Sequence, residues 1–183
     1  VSKTAVAPVK VWTRAELEEK IADRNARFRK LSAAERRVAI AWEVLDLLKA
    51  RKFRAESVYF DTDDDYRYEA EAQETADYLP TCDVCALGSA MIAGMRLFDR
   101  APQVPMHRVN TYEYVAMFFP VEQRRLMETA FEGEMDFAWR ENSRVSEVAA
   151  ERALAFGERF KNADQKLRAI MQNIIDNGGT FRP

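Results

Sequence analysis

The sequence predicts a mainly helical fold, an irregular bundle of six to seven helices built from the 183 residues as one domain. Three observations carry that expectation. Apolar residues recur at helical spacing in most segments, two capping boxes mark helix starts, and Gly and Pro, which interrupt helices, number only 6 each. Hydrophobic residues make up 48% and charged residues 32%, a balance that supports a buried core without disulfide staples.

Residues 1–12 read as a flexible or docking arm. Thr13-Arg14-Ala15-Glu16 is a capping box and opens a helix over 14–30, with Leu17, Ile21 and Phe28 on one stripe. Ser32-Ala33-Ala34-Glu35 is a second box, opening a helix to about Arg51. There Val38, Ala41, Trp42, Leu45 and Leu48 form the main stripe, widened by Ile40, Val44 and Leu47, so the helix is expected to be covered on more than one side. Ser57-Val58-Tyr59-Phe60 suggests a strand, in a short strand pair near 55–68, and a short helix is expected from Glu69 to Tyr78, stopped by Pro80.

The helix expected at 83–97 is the most informative. Cys82, Ala86, Ala90 and Gly94 repeat every four residues, as do Cys85, Ser89 and Ala93, while Val84, Leu87, Met91, Ile92 and Met95 fill the other side. Small side chains permit close approach, so this reads as the central helix, meeting the last helix or a second subunit. After Pro102 and Pro105, helices are expected at about 120–132, with Leu126, Met127, Ala130 and Phe131 buried, at about 144–160, with Ala149, Ala153, Phe156 and Phe160 aligned, and from Ala163 to Asp176. Asn177-Gly178-Gly179 supplies left-handed residues to close the last one.

No apolar run is long enough to span a membrane: the longest uncharged stretch, Val84 to Met95, has 12 residues. Without a secretory signal pattern, and with only Cys82 and Cys85 as thiols, the expected location is cytoplasmic, in a reducing compartment. The net charge of −2 conceals an asymmetry. Residues 1–54 carry 14 Lys/Arg against 7 Asp/Glu (net +7), residues 55–95 carry 1 against 10 (net −9), and the rest is balanced. Internal pairing or solvation is the expected fate of these charges.

Cys82-Asp83-Val84-Cys85-Ala86-Leu87-Gly88, Phe119-Pro120-Val121-Glu122-Gln123-Arg124-Arg125-Leu126, and the ending Ile170-Met171-Gln172-Asn173-Ile174-Ile175-Asp176-Asn177-Gly178-Gly179-Thr180-Phe181 form a distinctive set. It resembles a group of small uncharacterised proteins encoded by phages and prophages, over about the last 100 residues. The resemblance implies origin rather than activity, and a host-takeover or counter-defence role. It carries over no functional residues.

Several chemistries are weighed on the residues themselves. Cys82, Cys85 and His107, completed by a carboxylate, would suit zinc, but Cys-x-x-Cys at the start of a small-residue helix is explained by packing alone, so no cofactor is expected and zinc is the alternative. Cys85 at a helix start is a candidate nucleophile with His107 as base, yet no strand is evident ahead of it and no residue is assigned to orient the imidazole. Asp61, Asp63 and Asp65 match a calcium loop until Tyr66 and Ala72 break the pattern. Glu69, Glu71, Glu74 and Asp77 are candidates for a divalent metal or acid/base site. Arg24, Arg27, Arg29, Lys30, Arg36 and Arg37 cluster at one helix junction, but interspersed acids and a pI of about 5.7 argue against nucleic acid. A small nucleotide would be stacked by Tyr66, Tyr68 or Tyr112 and held through phosphate by Arg67, Arg96 or Arg108.

The expected function is therefore a phage-type accessory protein that binds a host protein or sequesters a small nucleotide, as a monomer or homo-oligomer. The alternatives are an enzyme using Cys85 with His107 or an acidic metal site, and a virion component. The balance of residues points away from an enzyme.

Overall fold

The computed structural model describes residues 14–56, 61–62, 82–98, 111–133 and 145–183. Within them lie seven helices: α1 (Arg14–Lys30), α2 (Ala33–Lys49), α3 (Ala86–Phe98), α4 (Thr111–Val115), α5 (Val121–Glu132), α6 (Glu147–Glu158) and α7 (Ala163–Asp176). Three short strands accompany them: β1 (Phe53–Ala55), β2 (Asp61–Thr62) and β3 (Cys82–Val84). The protein is mainly helical, as its periodicity predicts.

The core is organised around α3, in which every residue from Ala86 to Leu97 except Arg96 is buried. Helices α1, α2, α4 and α5 pack against it, α7 lies across α2 and α5, and α6 packs on α5. The expectation that the small-residue face of α3 meets the last helix or a second subunit is thus corrected. At Gly94 the closest neighbours are aromatic rings from α4 and its following turn: a Cβ there would sit 2.9 Å from Phe118 Cε2 and 3.3 Å from Tyr114 Cε1. The missing side chain makes room for a ring, and Phe118 continues into an edge-to-face cluster with Phe28 and Phe98, centroids 5.9 Å away in each case.

The start of α3 is also corrected. Cys82–Val84 is a strand and the helix begins at Ala86. Strand β3 occupies the middle of the sheet, parallel to β1 (Phe53↔Cys82, Ala55↔Val84) and antiparallel to β2. Phe53 and Ala55 are buried and Arg54 is exposed, and Arg54 reaches its register partner Asp83 through Nε (2.8 Å) and Nη2 (3.0 Å). Sequence spacing missed this strand because three residues fit a period of two and the start of a longer small-residue repeat equally well.

Ser32 and Glu35 form the expected capping box at α2, the Glu35 carboxylate accepting from the Ser32 amide at 2.8 Å. The buried face of α2 is Ile40, Ala41, Val44, Leu47 and Leu48. Trp42, expected in the main stripe, is 51% exposed, and Val38 and Leu45 are only half-buried. The apolar arc of α2 is wider than the groove that receives it, and tertiary packing selects the Ile40/Val44 side. Pro120 stands at the N-cap of α5, one place before the first turn.

Helix ends are closed with specific chemistry. At α7, Gly179 N–H donates to Ile174 O (2.8 Å) and Gly178 N–H to Ile175 O (3.1 Å), with Gly178 and Gly179 at positive φ. A Cβ on Gly179 would lie 2.4 Å from the Ala34 carbonyl oxygen. Helix α2 closes in the same pattern through Lys52 and Arg51, but Arg51 adopts φ 56° with a full side chain. The tail after α7 is held by two reciprocal amide pairs, Gln123 with the Phe181 backbone and Asn173 with the Arg182 backbone. Phe181 is buried against Phe156, with ring centroids 5.2 Å apart. The expected helix at 69–78, the strand at 57–60, the arm at 1–12 and the side chains of Leu17 and Ile21 lie outside the described residues.

Two substitutions test these contacts by urea unfolding. A Cβ on Gly157 would stand 1.9 Å from the Ala130 carbonyl oxygen, so Gly157→Ala forces α5 and α6 apart and is expected to cost about 3 kcal/mol. Arg51→Gly is expected to stabilise by about 0.5 kcal/mol or more, because left-handed backbone costs an ordinary residue about 1–2 kcal/mol and Gly forfeits only part of that as chain entropy.

Candidate functional site

The basic N-terminal helices have a structural use. Arg24 Nη2 donates to Arg96 O (2.9 Å) and Arg29 Nη2 to Phe98 O (3.2 Å), both carbonyls at the end of α3. Arg36 Nη2 donates to Arg29 O (2.6 Å) at the end of α1, and Arg37 binds Gly179 O and Phe118 O. Lys166 Nζ does the same for Phe131 O at the end of α5 (2.9 Å). The carbonyls of Arg29, Arg96, Phe98 and Phe131 lie in the last turns of their helices, where carbonyls lack intrahelical partners and carry the negative end of the helix dipole, so cations there satisfy both requirements; those of Phe118 and Gly179 lie in the turns that follow α4 and α7. Four residues of the basic junction, Arg24, Arg29, Arg36 and Arg37, thus donate to backbone carbonyls, and Arg27 pairs with Asp23. The Arg54–Asp83 ion pair joins the basic and acidic segments of the chain.

Arg96, a candidate phosphate ligand, is held by Glu43 at 2.7 Å, with both side chains mostly buried. Tyr112, a candidate stacking residue, has its ring covered by the Arg124 guanidinium, 3.9 Å from the centroid. Tyr66, Arg67, Tyr68, His107 and Arg108, the acidic residues 63–77, and the Cys82 side chain lie outside the described residues.

Cys85 is described fully. It follows β3 directly and caps α3, its sulfur accepting from the Gly88 amide at 3.4 Å. Its position at the helix start suggests an acidified thiol, but the outcome is the reverse. Burial pushes the thiol up to about 12, outweighing the Gly88 and Leu87 amides that favour the thiolate, and Glu132 and Glu128 raise it further. At neutral pH it is a protonated, buried N-cap rather than a nucleophile. Among the described residues no three His, Cys, Asp or Glu side chains gather as a metal site, and no helix is long and apolar enough to cross a membrane.

Two residues that sequence reasoning passed over stand out. Trp42 is exposed on α2, and Arg124 is 7% exposed on α5. Arg124 precedes Met127 by three and Phe131 by seven, so helical spacing already placed it on the buried stripe; its charge argued for the surface and obscured that signal. No protein-family model, curated protein or solved structure matches the chain.

The Cys85 geometry makes a pH-dependent prediction. The folded thiol keeps its proton to about 12 while the unfolded one loses it near the ordinary value of 9.0, so above pH 9 the unfolded chain is favoured increasingly and stability falls. Cys85→Ala is expected to cost about 1 kcal/mol at pH 7 through the lost cap, and its deficit relative to the parent protein should shrink between about pH 9 and 12 in denaturant titrations. In the native parent protein, Cys85 should resist thiol reagents at pH 8 and react upon unfolding.

Proposed function

We propose that this chain is a phage-type accessory protein that acts by binding a host protein and not by turning over a substrate. The observation that carries the reading is Trp42, 51% exposed on a 17-residue helix whose opposite face is locked into the core. An indole in water forfeits a large burial gain, and aromatic anchors on rigid elements are the side chains that dominate protein interfaces. Half-buried Val38 and Leu45, one turn to either side, extend the apolar surface along the helix.

The chemistry elsewhere supports binding over catalysis. Cys85 holds its proton and serves as a cap. Protein binding is favoured over nucleotide capture because Arg96 is neutralised by Glu43 and the Tyr112 face is occupied by Arg124. The resemblance to phage-encoded proteins supplies the host context.

The test is native mass spectrometry of tagged protein recovered from an infected culture, parent protein beside Trp42→Asp. A host protein at fixed stoichiometry is expected with the parent and not with the variant, whose thermal melting should be unchanged within about 2 °C, since an exposed site contributes about 0.5 kcal/mol or less. Retention of the same partner by Trp42→Asp, or release of a nucleotide in place of a protein, would overturn the assignment.

A further inference from the structure

The face of α2 that carries Trp42 runs into a basic turn. Trp42 and Lys49 are two helical turns apart on one side of the helix, about 10 Å along its axis, and both are exposed. Beyond Lys49 the chain passes through Arg51 and Lys52, whose amides donate to Leu48 O (3.2 Å) and Leu47 O (3.0 Å) and hold the turn against the end of α2. Lys49 and Arg51 are exposed and Lys52 is half-buried. Among the described residues none of these three cations has a carboxylate partner or a side-chain hydrogen bond, in contrast to Arg54, which Asp83 engages with both oxygens.

Neither the helix dipole nor local stability accounts for this charge. The C-terminal end of α2 carries about half a negative charge and the exposed Asp46 one more, so the three cations leave that end positive. The other acids close by in sequence do not cancel it: Glu43 is engaged by Arg96, Asp83 by Arg54, and Glu56 stands beyond the far end of β1. Arg51 is in addition the one described non-glycine residue at positive φ, 56°, where glycine would be less strained. A charged side chain held on unfavourable backbone, with no hydrogen bond or ion pair to offset the strain, is the pattern of a residue used outside the fold.

We infer that the partner of the Trp42 surface is an acidic polypeptide segment, in which an apolar side chain meets Trp42 and carboxylates lie beside Lys49, Arg51 and Lys52. The inference rests on the reading of Trp42 as a protein-binding anchor and names the chemistry of what binds there. Complementary charge selects the partner: unpaired cations beside an apolar anchor favour acids in the same spacing and repel a basic segment. A nucleic acid is less suited, because Asp46 stands exposed between Trp42 and Lys49, where a continuous phosphate backbone would meet it. A polypeptide can place its carboxylates past Asp46. The charges also fix orientation, with the acidic end of the partner at the C-terminal end of α2.

The immobilised full chain is used to select from a random library of short linear peptides, and the most enriched are synthesised and titrated. They should combine an aliphatic or aromatic residue with several Asp or Glu, lose binding to Trp42→Asp, and weaken as sodium chloride is added. The variant with Lys49→Glu, Arg51→Glu and Lys52→Glu should bind them about tenfold more weakly. Arg51→Gly controls for folding: it should melt no lower than the parent protein and still bind about two- to threefold more weakly, whereas a purely structural role for Arg51 would leave binding unchanged. Peptides that require Trp42 but carry no acidic bias, or that bind the charge variants like the parent, overturn the acidic partner and leave Trp42 as an anchor. Peptides indifferent to Trp42→Asp overturn both readings. Failure to enrich any peptide, or binding of oligothymidylate that depends on Arg51 and Lys52, also refutes the inference, and capture of a host protein through Trp42 then stands or falls separately.

Discussion

Everything in this fold depends on burying one helix on all sides. Helix α3 has alanine, glycine and serine interleaved with leucine, isoleucine and methionine, and only Arg96 and the final Phe98 escape full burial. A helix of that composition gains little from a single partner, because its small face offers few atoms to cover. Its stability comes from enclosure: rings from α4 settle on Gly94, and α1, α2 and α5 close the remaining sides. The short sheet serves the same end, since β3 hands the chain to α3 through Cys85, whose sulfur caps the helix without introducing water.

Enclosure creates a second problem, which the arginines solve. Helices that meet inside a small bundle bring their carbonyl ends close to one another, where water is scarce and negative dipole ends accumulate. Arg24, Arg29, Arg36 and Arg37 bridge the ends of α1, α3 and α7, and Lys166 bridges α5. The basic N-terminal helices thus act as a clamp on helix termini. Their guanidinium donors are spent on backbone carbonyls.

The cysteine and arginine results share a physical lesson about competing fields. A helix N-terminus favours a thiolate and a carboxylate favours a guanidinium, but both preferences are modest beside desolvation. At Cys85 burial prevails and the proton stays. Arg124 lies in a largely buried position against one aromatic face and one backbone carbonyl, both from Tyr112. Trp42 stands on the half of α2 that the core does not use.

By itself the chain determined where most described helices begin and end, because those signals are local. Ser32 with Glu35 and the Gly178–Gly179 pair each act on backbone within a few residues, so the start of α2 and the end of α7 are legible from spacing alone; Ser146 and Asn162 cap α6 and α7 in the same local way. The buried faces of α5 and α7 follow for the same reason, each having a single apolar stripe. Tertiary structure decided what depends on residues far apart in sequence. It chose which side of α2 faces inward, turned Cys82–Val84 into a strand by supplying Phe53–Ala55 beside it, and raised the Cys85 pKa by burial. It also directed Arg24, Arg29 and Arg37 at carbonyls 69 to 142 residues distant, among them Phe98 and Gly179. Local propensity is encoded in neighbours along the chain, whereas solvent exclusion and charge compensation exist only once the chain has closed on itself.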